Sequence, residues 1–314
     1  MDDLSIVFAE VADALHIGAT SIVEKDYYVI ELLRLLQPLH FDSHQLVFAG
    51  GTALAKAGIR LNRMSEDVDI KLVPQADFLA KSRTQRKFIR KEVIQHITQQ
   101  IECSALFQFD DQMPHITLDE YRYHELSIRY PQIFKQAPCI RPFIKLELIE
   151  ADLLEPIDLR SLSSFVCDLT EKGSSVSGFP CVTILSTLAE KIVSLLRRTA
   201  MIARDPSRAD DVALVRHLYD HARIMQTLEI DFVALKKLIN VVIAQDVERF
   251  GRQHPQFVEN PRQEMQFGLE NIRLNPIHQQ RYTEFVAPMV FGDTEVTWQQ
   301  AYTSFENSIH QVLS

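Results

Sequence analysis

The stretch Phe48-Ala-Gly-Gly-Thr-Ala-Leu-Ala-Lys-Ala-Gly58 is followed by Arg63-Met-Ser-Glu-Asp-Val-Asp-Ile70. From Asp67 to Val73 acidic and apolar residues alternate, which is a strand pattern. On a strand, side chains at i and i+2 leave the same face. Asp67 and Asp69 therefore stand together, while Val68 and Ile70 turn to a core. Two adjacent carboxylates repel each other unless a cation lies between them. Their hard oxygens suit Mg2+, which keeps several waters and bridges to substrate phosphates, with Mn2+ as the alternative ion.

Gly50-Gly51-Thr52 lies between Gln45-Leu46-Val47-Phe48, a short apolar strand pattern, and a short helix expected from Ala53 to Gly58. Glycines let a backbone approach a phosphate closely, and a helix start offers free N–H groups. Thr52 adds a hydroxyl. Alone, a Gly-Gly pair is usually a plain tight turn, and a lone Asp-x-Asp a solvated strand end. In the order strand, Gly-Gly, helix, strand, Asp-x-Asp, the two motifs describe a triphosphate cradle and a metal site.

In that order, Gly50-Gly51-Thr52 and Arg63-x-Ser65-Glu66-Asp67-x-Asp69 resemble the signature of the AbiEii/AbiGii-type nucleotidyltransferase toxin family, part of the DNA polymerase β-like superfamily. Val23-Glu24-Lys25-Asp26-Tyr27-Tyr28, Leu188-Ala189-Glu190-Lys191 and Arg216-His217-Leu218-Tyr219-Asp220 resemble further elements of the family. The resemblance spans residues 23–220 and is loose in the C-terminal third. It implies a toxin of a toxin–antitoxin or abortive-infection system. Such an enzyme transfers a nucleoside monophosphate from an NTP to an acceptor hydroxyl, with two Mg2+ ions and release of pyrophosphate. By family the acceptor is the 3′ end of tRNA and the partner is a cognate antitoxin. Two alternatives stay open: nucleotidylation of a protein hydroxyl, and a non-catalytic nucleotide-binding module.

The resemblance also distributes roles. Gly50, Gly51 and Thr52 would bind the nucleotide, Arg63 and Ser65 would position the Asp67 strand or a phosphate, and Glu66 would face away from Asp67. A third metal-holding carboxylate is expected; Glu147, in Phe143-Ile-Lys-Leu-Glu-Leu-Ile149, is the candidate, with Glu150 and Asp152 as alternatives. The ordinary reading of Glu147 is an exposed strand face shared with Lys145. Lys191 flanks the apolar stripe Leu185, Leu188, Ile192 and Leu195, where a lysine often only snorkels. The resemblance gives it the triphosphate, and gives Asp220 the task of orienting Lys191 or the substrate. The ordinary reading of Asp220 is a local salt bridge to Arg216 or Arg223. His217 departs from relatives that have an acid there. Arg83, Arg86, Lys87 and Arg90 fit one helix face and form the candidate RNA-phosphate patch, against the plain reading of a solvated face.

These residues need a scaffold. The chain has 314 residues, 46% hydrophobic and 24% charged, with a formal net charge of −9. The composition is globular, and the acidity argues against coating nucleic acid by charge alone. Four scattered cysteines, Cys103, Cys139, Cys167 and Cys181, without a CxxC pair read as reduced thiols. The acidic start, the absence of a signal pattern and the lack of a membrane-length apolar run point to the cytoplasm. Eleven histidines show no zinc spacing. Helices are expected over 3–15, 20–37, 76–103, 184–202, 209–226, 230–246, 276–287 and 297–312. Strands are expected near 105–109, 114–118, 123–130 and 143–149, and 171–180 reads as a linker. The expected class is α+β: a polymerase β-like nucleotidyltransferase domain with a mixed sheet over residues 1–180, followed by a helical domain over 181–314.

Overall fold

The computed structural model describes residues 2–56, 58–59, 61–170, 172–292 and 295–313. The end of the helix expected from Ala53 to Gly58, at Ala57, and the start of the expected linker, at Glu171, lie outside them. The chain divides into two compact units: residues 1–58 with 64–182, and residues 59–63 with 183–314.

The first unit opens with helices α1 (Asp2–Ala14) and α2 (Thr20–Leu36), then strand β1 (His44–Ala49) and helix α3 (Gly50–Ala55). Strand β2 (Asp67–Pro74) is followed by helices α4 (Ala76–Leu79) and α5 (Arg83–Glu102). Strands β3 (Gln108–Phe109), β4 (Ile116–Leu118), β5 (Tyr123–Arg129), β6 (Ile144–Glu150) and β7 (Asp158–Ser163) come next, then helix α6 (Phe165–Thr170) and strand β8 (Ser175–Cys181). Among the described residues the strands form one eight-stranded sheet in the order β3-β5-β6-β2-β1-β8-β7, with β4 paired to β5. β2 runs antiparallel to β1 and parallel to β6, so the sheet is mixed.

Alternation explains which side of the sheet does what. In β2, Val68, Ile70 and Leu72 are buried, as are Ile144, Leu146 and Leu148 in β6. They join one core with Ile30, Leu33 and Leu36 of α2 and Val93, Ile97 and Ile101 of α5. The intervening residues, Asp67, Asp69, Lys145 and Glu147, leave the opposite face, as the two-residue period requires.

Two expectations change. The segment expected as a linker contains β8, which pairs with β1 and β7 and buries Val176, Phe179 and Cys181. The helix expected over 76–103 is two helices. The first ends at Leu79, and Ser82 starts the second with a capping box shared with Gln85.

The second unit is helical: α7 (Ile184–Arg204), α8 (Arg216–Thr227), α9 (Phe232–Phe250), α10 (Pro255–Glu259), α11 (Pro261–Leu274), α12 (Ile277–Phe285) and α13 (Trp298–Leu313). α7 buries Leu188, Ile192, Val193, Leu195 and Leu196. A Cβ on Gly268 of α11 would lie 2.3 Å from the Leu196 carbonyl oxygen, so glycine is what lets α11 approach α7. Residues 59–63 enter this unit: Tyr219 donates to the Leu61 carbonyl at 2.7 Å, and Arg63 forms a β-bridge with Val290. No helix among the described residues is long and apolar enough to cross a membrane.

Candidate active site

The carboxylates assemble through strand register. Ala49 of β1 is paired with Asp69 of β2, and Asp69 in turn with Glu147 of β6. Glu147 is paired with Glu125 of β5, and Asp67 with Lys145. The hydroxyl of Tyr123 donates to Glu125 at 2.8 Å. Burial first, then Glu125, Glu147 and Asp69, push that phenol well above its ordinary value. On this face stand the carboxylates of Asp67, Asp69, Glu125 and Glu147, with Lys71 and Lys145 from the strands and Arg141 beside Asp67 as the cations. The strand expected over 123–130 already placed Tyr123 and Glu125 on one face, but nothing in their spacing pointed to the Asp-x-Asp pair.

The glycine turn backs directly onto this face. Gly50 has φ 76°, and a Cβ there would stand 1.8 Å from Asp69 Oδ2. The turn thus has a use that its phosphate reading did not include: the missing side chain makes room for Asp69. Thr52 is also committed locally. Its hydroxyl donates to the Asp67 carbonyl and shares a hydrogen bond of 3.0 Å with Ser65. Ala49, at the start of α3, offers no side-chain cap to the first amides of that helix.

Behind Asp67 lies a buried network that the motif reading did not anticipate. Glu66, expected to face away from Asp67, accepts from Lys25 Nζ at 2.6 Å and from the Arg141 backbone N–H at 2.7 Å, and the guanidinium of Arg141 touches both carboxylates. Burial would raise the Glu66 carboxyl, but Lys25 and Arg141 outweigh it and hold it below the usual range. Arg141 Nη2 reaches Asp67, 2.9 Å from Oδ1 and 3.1 Å from Oδ2. The other residues of the Glu-Lys-Asp-Tyr element serve the scaffold. Glu24 accepts from the N–H of Ile133 at 2.6 Å, and Asp26 pairs with Lys56 at 2.6 Å and accepts from the N–H of Phe165 at 2.8 Å.

Glu147 pairs with Lys145, as its ordinary reading had it. Glu150, an alternative to it, is held by Arg90 at 2.5 and 2.7 Å and by His44 at 3.1 Å. Asp152 is exposed beyond the end of β6. Among the described residues no group of three or more His, Cys, Asp or Glu side chains stands ready to hold a metal ion. The side chains whose chemistry suits a hard divalent cation are Asp67 and Asp69, and two carboxylates would leave part of the shell of Mg2+ to waters and phosphates. Glu147, as its side chain stands, is taken by Lys145.

The helical unit holds the remaining residues. Asp220 is fully buried and receives a two-pronged bond from Arg63, 2.9 Å on each oxygen, and the Lys191 ammonium at 2.9 Å. Burial alone would raise Asp220; Arg63 and Lys191 outweigh it and bring it to about 2. The local salt bridge to Arg216 or Arg223 is thus replaced by partners distant in sequence. Arg63 meets Asp220 with its guanidinium, a correction to its expected phosphate or strand-positioning role. His217 lies with Nδ1 3.2 Å from the Lys191 carbonyl, its ring kept neutral by burial and by the Lys191 charge.

The proposed RNA face also needs correcting. Arg90 is buried against Glu150, and Arg83 is exposed but paired with Glu120 at 2.5 Å. A buried guanidinium bound to a carboxylate is not a phosphate contact, which leaves Arg83, Arg86 and Lys87 of that group.

A fold of this kind, with this Asp-x-Asp strand, defines a nucleotidyltransferase. It is similar in structure to MenT4, a nucleotidyltransferase toxin from Mycobacterium tuberculosis H37Rv, with a TM-score of 0.57 and 22% identity over 98% of this chain and 99% of that one. The family model described as "Nucleotidyl transferase AbiEii toxin, Type IV TA system" matches residues 33–304, and the chain belongs to that family. No curated protein matches it.

Proposed function

We propose that this toxin transfers a nucleoside monophosphate from an NTP to the 3′ end of tRNA in the cytoplasm, in a Mg2+-dependent reaction centred on Asp67 and Asp69. The observation that carries this reading is the seating of Asp69 on Gly50. The strand that presents both acids is locked against the glycine turn, so the acids and the start of α3 share one place. Asp67 and Asp69 would hold the divalent ion, with Glu147, the register partner of Asp69 on β6, as the third acid. When bound, such an ion neutralises phosphate charge and lowers the pKa of an acceptor hydroxyl. The protein's own part is positioning. Gly50 and Thr52 fix the two acids, Lys25 and Glu66 fix the segment behind them, and Asp220 fixes the ammonium of Lys191. The resemblance gives Lys191 to the nucleotide phosphates, and a lysine held by a buried carboxylate has the set position such a role needs.

The test is incubation of the purified chain with each labelled NTP, Mg2+ and total tRNA, beside the Asp69→Asn variant. Label on tRNA with the wild type and none with the variant is the expected result. Label moving into a protein band would transfer the activity to a protein acceptor. No label in any product, with all four NTPs, would remove the tRNA reading.

A further inference from the structure

We propose that Arg141 is a positioning residue for this reaction. Its guanidinium holds the Asp67 carboxylate, and a divalent cation that used both Asp67 oxygens would have to displace it. The inference rests on the reading of Asp67 and Asp69 as the metal-holding pair.

Arg141 is built into its place from both ends. Its backbone N–H donates to Glu66 Oε2 at 2.7 Å, and its carbonyl accepts from Lys25 Nζ at 2.8 Å. Lys25 and Glu66 are themselves paired at 2.6 Å and almost wholly buried. The side chain then makes two further contacts: Nε on Glu66 Oε1 at 3.1 Å, and Nη2 straddling Asp67, 2.9 and 3.1 Å from its oxygens. A guanidinium so placed occupies the side of the carboxylate that a chelated cation would need. It also offsets the repulsion of Asp67 by Asp69. The Arg141 side chain as a whole is 34% exposed, so it is not walled in, and its guanidinium could leave Asp67 while its backbone N–H stays on Glu66. Lys145 repeats the pattern one strand away, with its ammonium on Glu147.

The experiment is Mn2+ binding to the full chain, by calorimetry and by the loss of the free-ion EPR signal. It compares the wild type with Arg141→Gln, Arg141→Lys, Asp67→Asn, Asp69→Asn and the Asp67→Asn/Arg141→Gln double variant. Removing a charge-assisted contact from Asp67 should tighten Mn2+ binding about tenfold in Arg141→Gln. Arg141→Lys keeps the charge but loses the fork, and should also bind more tightly than wild type. In the Asp67→Asn background the effect of Arg141→Gln should vanish, because the two residues then share no contact. Tighter binding in Arg141→Gln alone, with Arg141→Lys equal to wild type, would reduce Arg141 to a distant charge and overturn the proposal. So would a gain that survives Asp67→Asn. If Asp67→Asn and Asp69→Asn abolish binding while both Arg141 variants match the wild type, this inference falls and the metal reading stands. If neither aspartate matters, both fall. Thermal melts check folding; should Arg141→Gln fail to fold, Arg141→Lys, which keeps a cation beside Glu66, decides the matter.

Discussion

Gly50 and Asp69 share a single space: the volume that any side chain at position 50 would fill holds the Asp69 carboxylate. The relation is local and strict, because β1 ends at Ala49, whose strand partner is Asp69 itself. Gly50→Ala would meet both a positive φ and an oxygen at 1.8 Å. The strained backbone should cost about 1–2 kcal/mol. Displacing a carboxylate by the better part of an ångström should lower transfer about a hundredfold. Urea titration and a single-turnover assay with labelled NTP separate the two effects. Full activity in Gly50→Ala would show that the place of Asp69 does not matter.

Asp220→Asn tests the buried ion cluster of the helical unit. The change leaves Arg63 and Lys191 beside a neutral amide. Breaking a buried pair in this way should destabilise the protein by about 3–5 kcal/mol. Chemical denaturation should show a lower midpoint with an unchanged slope.

Glu150 predicts an acid-sensitive sheet. Burial would raise its carboxyl, but His44 and Arg90 outweigh that and bring it from 4.5 down to about 2. The folded-state value is the depressed one. The stabilisation is therefore complete above pH 4.5 and is lost as the pH falls from there towards 2. It is on the order of 3 kcal/mol. Glu150→Gln should melt below the wild type at pH 7, and the gap should narrow at pH 3. A gap that does not change with pH would contradict a charged Glu150.

The helix after the Asp-x-Asp strand separates structure from binding. Arg90→Ala should destabilise by about 3–5 kcal/mol, because it strands Glu150. Lys87→Ala, on the exposed side, should shift stability by less than about 0.5 kcal/mol. If this face meets RNA, Lys87→Ala should weaken binding across sequences and flatten its salt dependence. A titration with tRNA at several salt concentrations reads both.

The two-residue alternation of β2 and β6 was legible from sequence because each strand buries one full face against α2 and α5. β8 was not, because Gly178 and Pro180 mark a turn by local rules, and only pairing with both β1 and β7 makes the segment a strand. Arg90 shows the limit of helical periodicity. It lies in line with Arg83, Arg86 and Lys87, yet a carboxylate on β6 draws it inward, and no helix pattern can see that strand. The Asp67 and Asp69 pair announced itself by spacing. Its neighbours Arg141, Lys25 and Glu66 did not, since they converge from segments far apart in sequence. Asp220 misled for the same reason: Arg216 and Arg223 stand at the right helical offsets, while its real partners are Arg63 and Lys191.

The short insertion at residues 59–63 makes the helical unit discontinuous along the chain. A fragment cut to begin at Thr183 would carry Asp220 with Lys191 but without Arg63, and Tyr219 without the Leu61 carbonyl. Excision of the C-terminal helices by protease or by cloning would thus yield a piece whose interior carboxylate keeps Lys191 but has lost its guanidinium partner.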